Sequence, residues 1–499
     1  MDVQSLLTAE STKSLLQQMV DDQEARDMVI SFIEQKSYQD AMEGNTDNRP
    51  KRVQEDRHDY AMALLHSFNR SIERGLISKH VLNRLLDIFL SNVIMNKDNE
   101  EASHSLGFKP PLLLVISPTG KCNLKCSDCY AASDVTQQVS LDFKTFDRII
   151  TDKKKLWGSH FTTISGGEPM LWRDEGYDLL DMVAKHDTEM FMMYTNGTLI
   201  DDDAAKRMAD LGNITPAVSL EGFEKETDAR RGKGTFKRIM KTFERLRKHG
   251  VPFGISVTPT RLNWDVATSD RFIDFCFLEQ GAFYGWLFQY MPIGRGQSLE
   301  LMVTPEQRVE MLRRTQRFVR ERKIFLADFW NSGTAAGGCI SAGRQGGYFY
   351  IDWHGNITPC VFIPYAVDNI YDIYNRGANL NTPLESPFFK AIRKWQDEYG
   401  YKQSGKKTDN WLCPCPIRDH FNIVREAAMN TGVKPINEEA AIAINDKSYC
   451  DGMVCYGEKL KQLTDPIWEK EYLATVEPVT EEKQRPEVPH MVVSEPFKA

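Results

Sequence analysis

Three cysteines fall within one short run of this chain, Cys122-Asn123-Leu124-Lys125-Cys126-Ser127-Asp128-Cys129. Thiols spaced by three and then two residues in a single loop can converge on one iron-sulfur cluster, for which thiolate is the preferred ligand. A cubane with three protein ligands keeps one iron open, which suits a cluster that binds a small molecule rather than only passing electrons. Zinc and unligated thiols are the competing readings. Zinc usually takes four ligands in paired short spacings, and no nearby His or Cys completes such a set. Six more cysteines, Cys339, Cys360, Cys413, Cys415, Cys450 and Cys455, follow in the last third of the chain. In a chain of this length without a signal peptide, such placement favours metal or redox chemistry over disulfides. The tenth, Cys276, lies in Phe272-Ile273-Asp274-Phe275-Cys276-Phe277, where a helix core is expected.

The first cysteine loop must be held by what precedes and follows it. Short β-rich runs at residues 112–117, 161–165, 190–195, 214–220, 253–258 and 284–290 alternate with helical patterns near 141–157, 175–186, 201–211, 235–249, 268–280 and 304–322. Six βα units at this spacing imply parallel strands joined by right-handed crossovers, either an open doubly wound sheet or a partial barrel. In both, the chemistry belongs at the C-terminal ends of the strands, where the cysteine loop lies. Before this region the chain reads as helical. Leu15, Leu16, Met19 and Val20, then Met28, Val29, Phe32 and Ile33, recur at helical spacing, with a polar gap from about Gly44 to Asp59. Ser78 can cap a helix whose stripe of Val81, Leu82, Leu85, Leu86, Phe89, Val93 and Ile94 is expected to pack on the next domain. After about residue 325, Gly, Pro and Cys become frequent, as in a small loop-rich domain that needs staples. The expected organisation is a helical region over 1–105, a barrel over 106–325, a cysteine-containing domain over 326–475 and a mobile tail over 476–499.

Composition narrows the function. A chain of 499 residues is long enough for several domains, and 41% hydrophobic with 26% charged residues excludes wholesale disorder, collagen and coiled coil. Net charge −8 with no basic stripe argues against a nucleic-acid partner. Met1-Asp2-Val3-Gln4 has no basic flank leading into an apolar segment, and no stretch approaches the roughly 20 apolar residues of a membrane helix. No transmembrane segment and a cytoplasmic location are expected. Lys153-Lys154-Lys155 is expected to be a solvated helix face, and His354 to belong to a turn at Asp352-Trp353-His354-Gly355.

The C-x3-C-x2-C loop after the first strand resembles the signature of the radical S-adenosylmethionine (radical SAM) enzymes, and later segments follow in the order that family requires. Ser165-Gly166-Gly167-Glu168-Pro169 after the second strand matches its Gly-Gly-Glu segment; glycines admit close backbone approach, and the segment can accept hydrogen bonds from the SAM ammonium. Tyr194-Thr195-Asn196-Gly197-Thr198 follows the third strand. Val218-Ser219-Leu220-Glu221-Gly222 and Asp228-Ala229-Arg230-Arg231-Gly232 follow the fourth. The resemblance implies a partial (β/α)6 TIM-type barrel, a 4Fe-4S cluster on Cys122, Cys126 and Cys129, and SAM contacts from Gly166, Gly167, Glu168 and Asn196. It further implies Ser219 at the ribose and Arg231 at the carboxylate, where guanidinium pairs bidentately. The residue before the third cysteine, often aromatic in this family and stacked near the adenine, is Asp128 here, and Tyr130 is the candidate to cover that face.

Cys339 and the Gly355-x4-Cys360 arrangement resemble the opening of the SPASM extension, which binds auxiliary 4Fe-4S clusters. The rest of that pattern is replaced by Cys413-Pro414-Cys415 and Cys450-x4-Cys455. Six thiols make one complete four-cysteine cluster the simplest count. Cys339, Cys360, Cys415 and Cys450 are the expected ligands, with Cys413 and Cys455 as substitutes. The implied activity is that of an oxidoreductase-type enzyme. A reduced donor such as flavodoxin or ferredoxin supplies an electron, SAM is cleaved to a 5′-deoxyadenosyl radical, and hydrogen is taken from a peptide or from a hydrophobic substrate such as an acyl chain. Sulfatase maturation is disfavoured, because relatives with that role place an acidic residue where Val361 stands. A non-catalytic iron-sulfur carrier or scaffold is the alternative, and it leaves Gly166 to Glu168, Ser219 and Arg231 without a task.

Overall fold

The computed structural model describes residues 23–45, 47–89, 102–103 and 108–476. Leu15, Leu16, Met19, Val20, Val93, Ile94 and the tail beyond residue 476 lie outside them. Among the described residues, the helices α1 (Gln23–Glu43), α2 (Lys51–Glu73) and α3 (Lys79–Phe89) precede the sheet. The six expected strands form as β1 (Leu113–Ile116), β2 (Phe161–Ile164), β3 (Met190–Thr195), β4 (Ile214–Leu220), β5 (Gly254–Val257) and β6 (Tyr284–Leu287). Each pairs in parallel with the next. Near-continuous apolar runs such as Leu113-Leu114-Val115-Ile116 are what a strand covered on both faces requires. The intervening helices, among them α4 (Phe143–Trp157), α5 (Leu179–Lys185), α6 (Asp202–Leu211), α7 (Glu224–Arg231), α8 (Thr235–His249), α9 (Asp270–Asp274) and α10 (Pro305–Arg320), carry their own boundary signals. Asp142 caps α4 by accepting from the Thr145 amide at 2.8 Å, and Gly158 ends it in the left-handed region at φ 58°.

The sheet continues beyond the sixth strand. β7 (Leu326–Asp328) pairs in parallel with β6, while β8 (Tyr350–Ile351) pairs in parallel with the opposite edge, β1. Two antiparallel strands, β9 (Asn356–Thr358) and β10 (Asp368–Asn369), complete the order β10-β9-β8-β1-β2-β3-β4-β5-β6-β7. The expected boundary at 325/326 therefore falls inside one continuous sheet, and both edges of the six-strand unit are paired by chain from the cysteine-rich third. The remaining extension is helical and loop-rich, with α11 (Ile370–Asn375), α12 (Pro387–Gln396), α13 (Phe421–Thr431) and α14 (Lys447–Ile467).

Three local expectations meet the structure differently. Of the stripe on α3, Val81 and Leu82 are buried and Leu85 and Leu86 half-buried; Ile88, outside that stripe, is buried as well, and Ser78 accepts from the Val81 amide at 3.2 Å. The polar gap of Gly44 to Asp59 is instead largely the start of α2. That helix buries polar residues because ion pairs replace water: the Asp56 carboxylate accepts from Arg52, Arg320, Thr334 and Tyr472 at 2.6–2.9 Å. Lys153 is not on a solvated face. It has no exposed surface, and its ammonium donates to the Ser159 and Phe161 carbonyls at 2.8 and 3.2 Å and to Glu189 at 2.5 Å. A single lysine in a basic run is drawn inward because α4 places it over the start of β2, where two carbonyls and the buried Glu189 carboxylate accept from it. His354 is exposed in the turn capped by Asp352, as its sequence suggests.

Removing one partner of a buried ion pair costs about 3–5 kcal/mol, whereas replacing both with apolar groups is close to neutral. Lys153→Met is expected to lower unfolding free energy by roughly that amount in chemical denaturation. The double variant Lys153→Met, Glu189→Leu should recover most of it.

Candidate active site

At the C-terminal ends of the parallel strands lies a cavity of about 320 Å³. Cys122, Cys126 and Cys129 line it together with Tyr130, Gly166, Gly167, Asn196, Ser219 and Arg231. Register explains the convergence. Ile116 pairs with Ile164 and Ser219 with Ser256, so the loops after neighbouring strands leave the sheet at one level.

The cysteine loop is clamped from two sides. On one, the Gly167 amide donates to the Thr119 carbonyl at 2.9 Å and the Glu168 amide to the Lys121 carbonyl at 2.8 Å. A Cβ on Gly167 would come within 2.3 Å of the Lys121 oxygen, so glycine here serves the approach of two protein segments. On the other side stands Gly294-Arg295-Gly296, after β6. The Arg295 guanidinium donates to the carbonyls of Cys126, Ala132 and Ser133 at 2.8–3.0 Å and to Asp134 at 3.0 Å. Gly294 has φ 70°, and a Cβ there would meet the Cys129 carbonyl oxygen at 2.5 Å. The sequence reading passed over Arg295; its signal was a Gly-Arg-Gly turn at the end of a βα strand.

Glu168 departs from its expected task. Its carboxylate is wholly buried and does not line the cavity. It accepts from the Thr195 hydroxyl at 2.7 Å and from the Asn196 and Met170 amides at 2.8 and 3.2 Å. Burial pushes its pKa up, against those three hydrogen bonds. The side chain joins β2 to β3, and the groups left for an ammonium come from the Gly166-Gly167 backbone. Asn196 lies between cavity and cysteine loop, donating to the Asn123 side-chain oxygen at 2.8 Å. The Tyr130 hydroxyl pairs with Ser165 at 2.6 Å and accepts from the Gly166 amide at 3.3 Å, which fixes its ring on the cavity wall.

Two arginines beside the thiols share a buried carboxylate. Arg230 bridges Asp128 at 2.6 Å and Glu221 at 2.5 Å, and Arg231 reaches Glu221 through Nε at 2.8 Å. Burial pushes the Cys126 thiol up and the two guanidiniums pull it down; burial also pushes Cys122 up to about 12. A metal held here must displace those protons, and iron-sulfur ligation does so. Among the described residues no set of three or more His, Cys, Asp or Glu converges on a single ion-sized point. The three thiols line one cavity.

The later cysteines separate. Cys339, Cys360 and Cys415 line a second cavity of about 270 Å³, and Trp286, Phe329 and Ile340 belong to the walls of both cavities. Tyr348 hydroxyl lies 2.9 Å from the Cys360 sulfur, and burial pushes that thiol up to about 12. Of the expected set Cys339, Cys360, Cys415 and Cys450, the first three line this cavity, and Cys450, like Cys413 and Cys455, is not among its lining residues. Cys413 is buried against Tyr399 and Thr464. The Cys450 thiol, on α14, donates to the Ala443 and Ile444 carbonyls at 3.5 and 3.6 Å, and Cys455 is exposed. Cys276 is fully buried in the core.

Residues 116–273 match the model of the Radical SAM superfamily. The chain carries a radical SAM domain. Domains of this superfamily use a 4Fe-4S cluster and SAM. Among curated relatives, this chain is 31% identical over 187 residues to the Fe-coproporphyrin III synthase of Methanosarcina barkeri, covering 35% of this chain and 46% of that one, less than half its length. It is 26% identical to the sporulation killing factor maturation protein SkfB of Bacillus subtilis, covering 58% of this chain and 72% of that one. It is 28% identical to the mycofactocin maturase MftC of Mycobacterium tuberculosis, covering 58% and 74%. No helix among the described residues is long and apolar enough to cross a membrane.

Because Arg295 holds the loop rather than the metal, Arg295→Ala should leave a folded protein whose first cluster is released to a chelator about 10–100-fold more readily. Iron release at equal far-ultraviolet dichroism measures this.

Proposed function

We propose that the Cys122, Cys126 and Cys129 thiolates hold the 4Fe-4S cluster and that SAM binds beside them against Gly166, Gly167, Asn196, Ser219 and Arg231. The single observation carrying this reading is the convergence of all these residues on one cavity. Held by these three thiolates, the cluster would supply the single electron for reductive cleavage of SAM to methionine and a 5′-deoxyadenosyl radical, the hydrogen acceptor for a substrate C–H bond. Glu221 occupies the Nε and Nη2 edge of Arg231, which leaves Nη1 for the SAM carboxylate. Ser219 and its neighbour Ser256 line the same wall and suit the ribose hydroxyls. Tyr130, held by Ser165, presents its ring to the adenine.

The outer wall favours an apolar substrate group. Phe288, Phe329, Phe362 and Trp286 line it and exclude water from the reacting centre. Two relatives are named as maturation proteins, which supports a peptide bearing an apolar side chain; the aromatic wall equally suits an acyl chain. We assign an auxiliary cluster to Cys339, Cys360 and Cys415, whose cavity shares three wall residues with the first. Such a cluster would carry an electron from the substrate radical, as an oxidoreductase requires. A flavodoxin or ferredoxin would reduce the first cluster, and both the donor and the reduced cluster suit the cytoplasm.

Anaerobically reconstituted protein with a reductant is expected to release 5′-deoxyadenosine. Replacing Cys122, Cys126 and Cys129 with Ala should reduce this to the protein-free level while iron remains at the second site. A filled first cluster that neither cleaves SAM nor changes its spectrum with SAM would leave only the electron-carrier alternative. Mass spectrometry of material that co-purifies anaerobically distinguishes a peptide from an acyl substrate.

A further inference from the structure

A third cavity, of about 380 Å³, lies where α2, the segment leading into β1 and the loop before β8 meet, and it shares the Ala336 wall with the second cavity. Arg49, Arg57, Lys109 and Arg344 line it, four cations around one space. Their protein counter-charges are few. Arg49 reaches Asp47 only at 3.4 Å, and that carboxylate is more than half exposed; Asp397 acts on Arg344 from a distance. Among the described residues, Arg57 donates only to the neutral Gln54 side chain, at 3.3 Å.

The two most buried guanidiniums are rigidly held and incompletely used. Arg344, 4% exposed, donates to the Gly337 and Ala336 carbonyls at 2.6 and 2.8 Å and lies 4.0 Å over the Tyr401 ring. Its Nε is buried with no partner among the described residues. Arg49, 8% exposed, donates through Nη2 to the Tyr401 carbonyl at 3.1 Å and lies 5.0 Å over Trp411, while its Nη1 is buried with no partner. Gly337, at φ 69°, admits them: a Cβ there would stand 2.9 Å from Arg57 Nη2 and 3.2 Å from Arg49 Nη1. Burial, with repulsion from Arg49 and Arg344, pushes Arg57 down to about 10. Burying unpaired donors and like charges together is costly unless something else completes them.

We infer that this cavity is a binding site for a phosphoryl group, a doubly charged oxyanion completed by Arg49, Arg57, Arg344 and Lys109. A dianion matches the surplus of positive charge where a single carboxylate would leave it uncompensated, and guanidinium edges are suited to phosphate oxygens. A soluble phosphate ester and a lipid head group share that chemistry.

The test uses the full-length protein, with inorganic phosphate as the probe. Thermal unfolding in phosphate, compared with chloride at equal ionic strength, should show the midpoint rising by at least about 2 °C once phosphate is well above its dissociation constant. Arg57→Gln should abolish the rise and, in phosphate-free buffer, be at least as stable as the parent, because a like charge has been removed. Vesicles of phosphatidylcholine with and without phosphatidic acid identify the source. Arg57-dependent binding to the acidic vesicles assigns a head group, and a phosphate response without vesicle binding assigns a soluble ester. No response to either probe, or a phosphate response that Arg57→Gln retains, overturns the inference.

Discussion

The Glu168 carboxylate, with no exposed surface, ties together the ends of β2 and β3 on which the site depends. A buried carboxylate carries a large desolvation cost and persists only where donors are fixed in place. Here those donors are the Thr195 hydroxyl and the Asn196 and Met170 amides. Satisfying Glu168 therefore sets the backbone that follows each strand. The same segment then holds the cysteine loop through the Gly167 and Glu168 amides, and Asn196 reaches the loop from the other strand through Asn123. Three loops that are remote in sequence become one rigid wall, and Arg295 closes its far side.

The second thiol group is positioned by the same means. Arg308 of α10 forms a buried, bidentate pair with Asp419, at 2.5 and 3.1 Å. Asp419 also accepts from the Cys415 amide at 3.0 Å. A cation on the barrel thus sets the backbone of a cysteine in the extension. Pairing of β7 and β8 at opposite sheet edges acts in the same sense, since exposed edges would otherwise offer unpaired amides and carbonyls. With the extension built into the sheet, the two cavities share Trp286, Phe329 and Ile340, and their relative position follows from the fold.

The six strands were legible because each is a short apolar run bounded by turn residues, a pattern with few alternatives. The cavity residues were legible because they follow those strands in order. What sequence could not reveal is which donors a buried group would find. Lys153 reads as one of three surface lysines until α4 lays it over two carbonyls and Glu189. α2 reads as a gap because its buried face is polar and is satisfied by Arg320, Thr334 and Tyr472, hundreds of residues away. Glu168 was placed on the ligand by analogy, yet its oxygens are taken by β3. The sequence ranks Cys415 and Cys450 above Cys413 and Cys455 as ligands; only packing shows that Cys413 lies against Tyr399 and that Cys450 donates to carbonyls beside its helix.

Asp128 shows how one substitution redistributes a site. At 5% exposure its carboxylate is tolerable only with a cation beside it, and Arg230 supplies one at 2.6 Å while also holding Glu221. Arg230 is thereby committed to protein carboxylates at both ends, and Glu221, shared between the two arginines, orients Arg231 toward the cavity. An aromatic side chain at position 128 would need no such partner and would leave Arg230 to compete for the same anion as Arg231. The loss of a stacking ring before Cys129 and the division of labour between two adjacent arginines thus have one electrostatic cause. The aromatic surface that remains, Tyr130 packed 6.0 Å from Phe362, comes partly from the extension, so the wall of the first cavity is completed by the same part of the chain that carries the second thiol group.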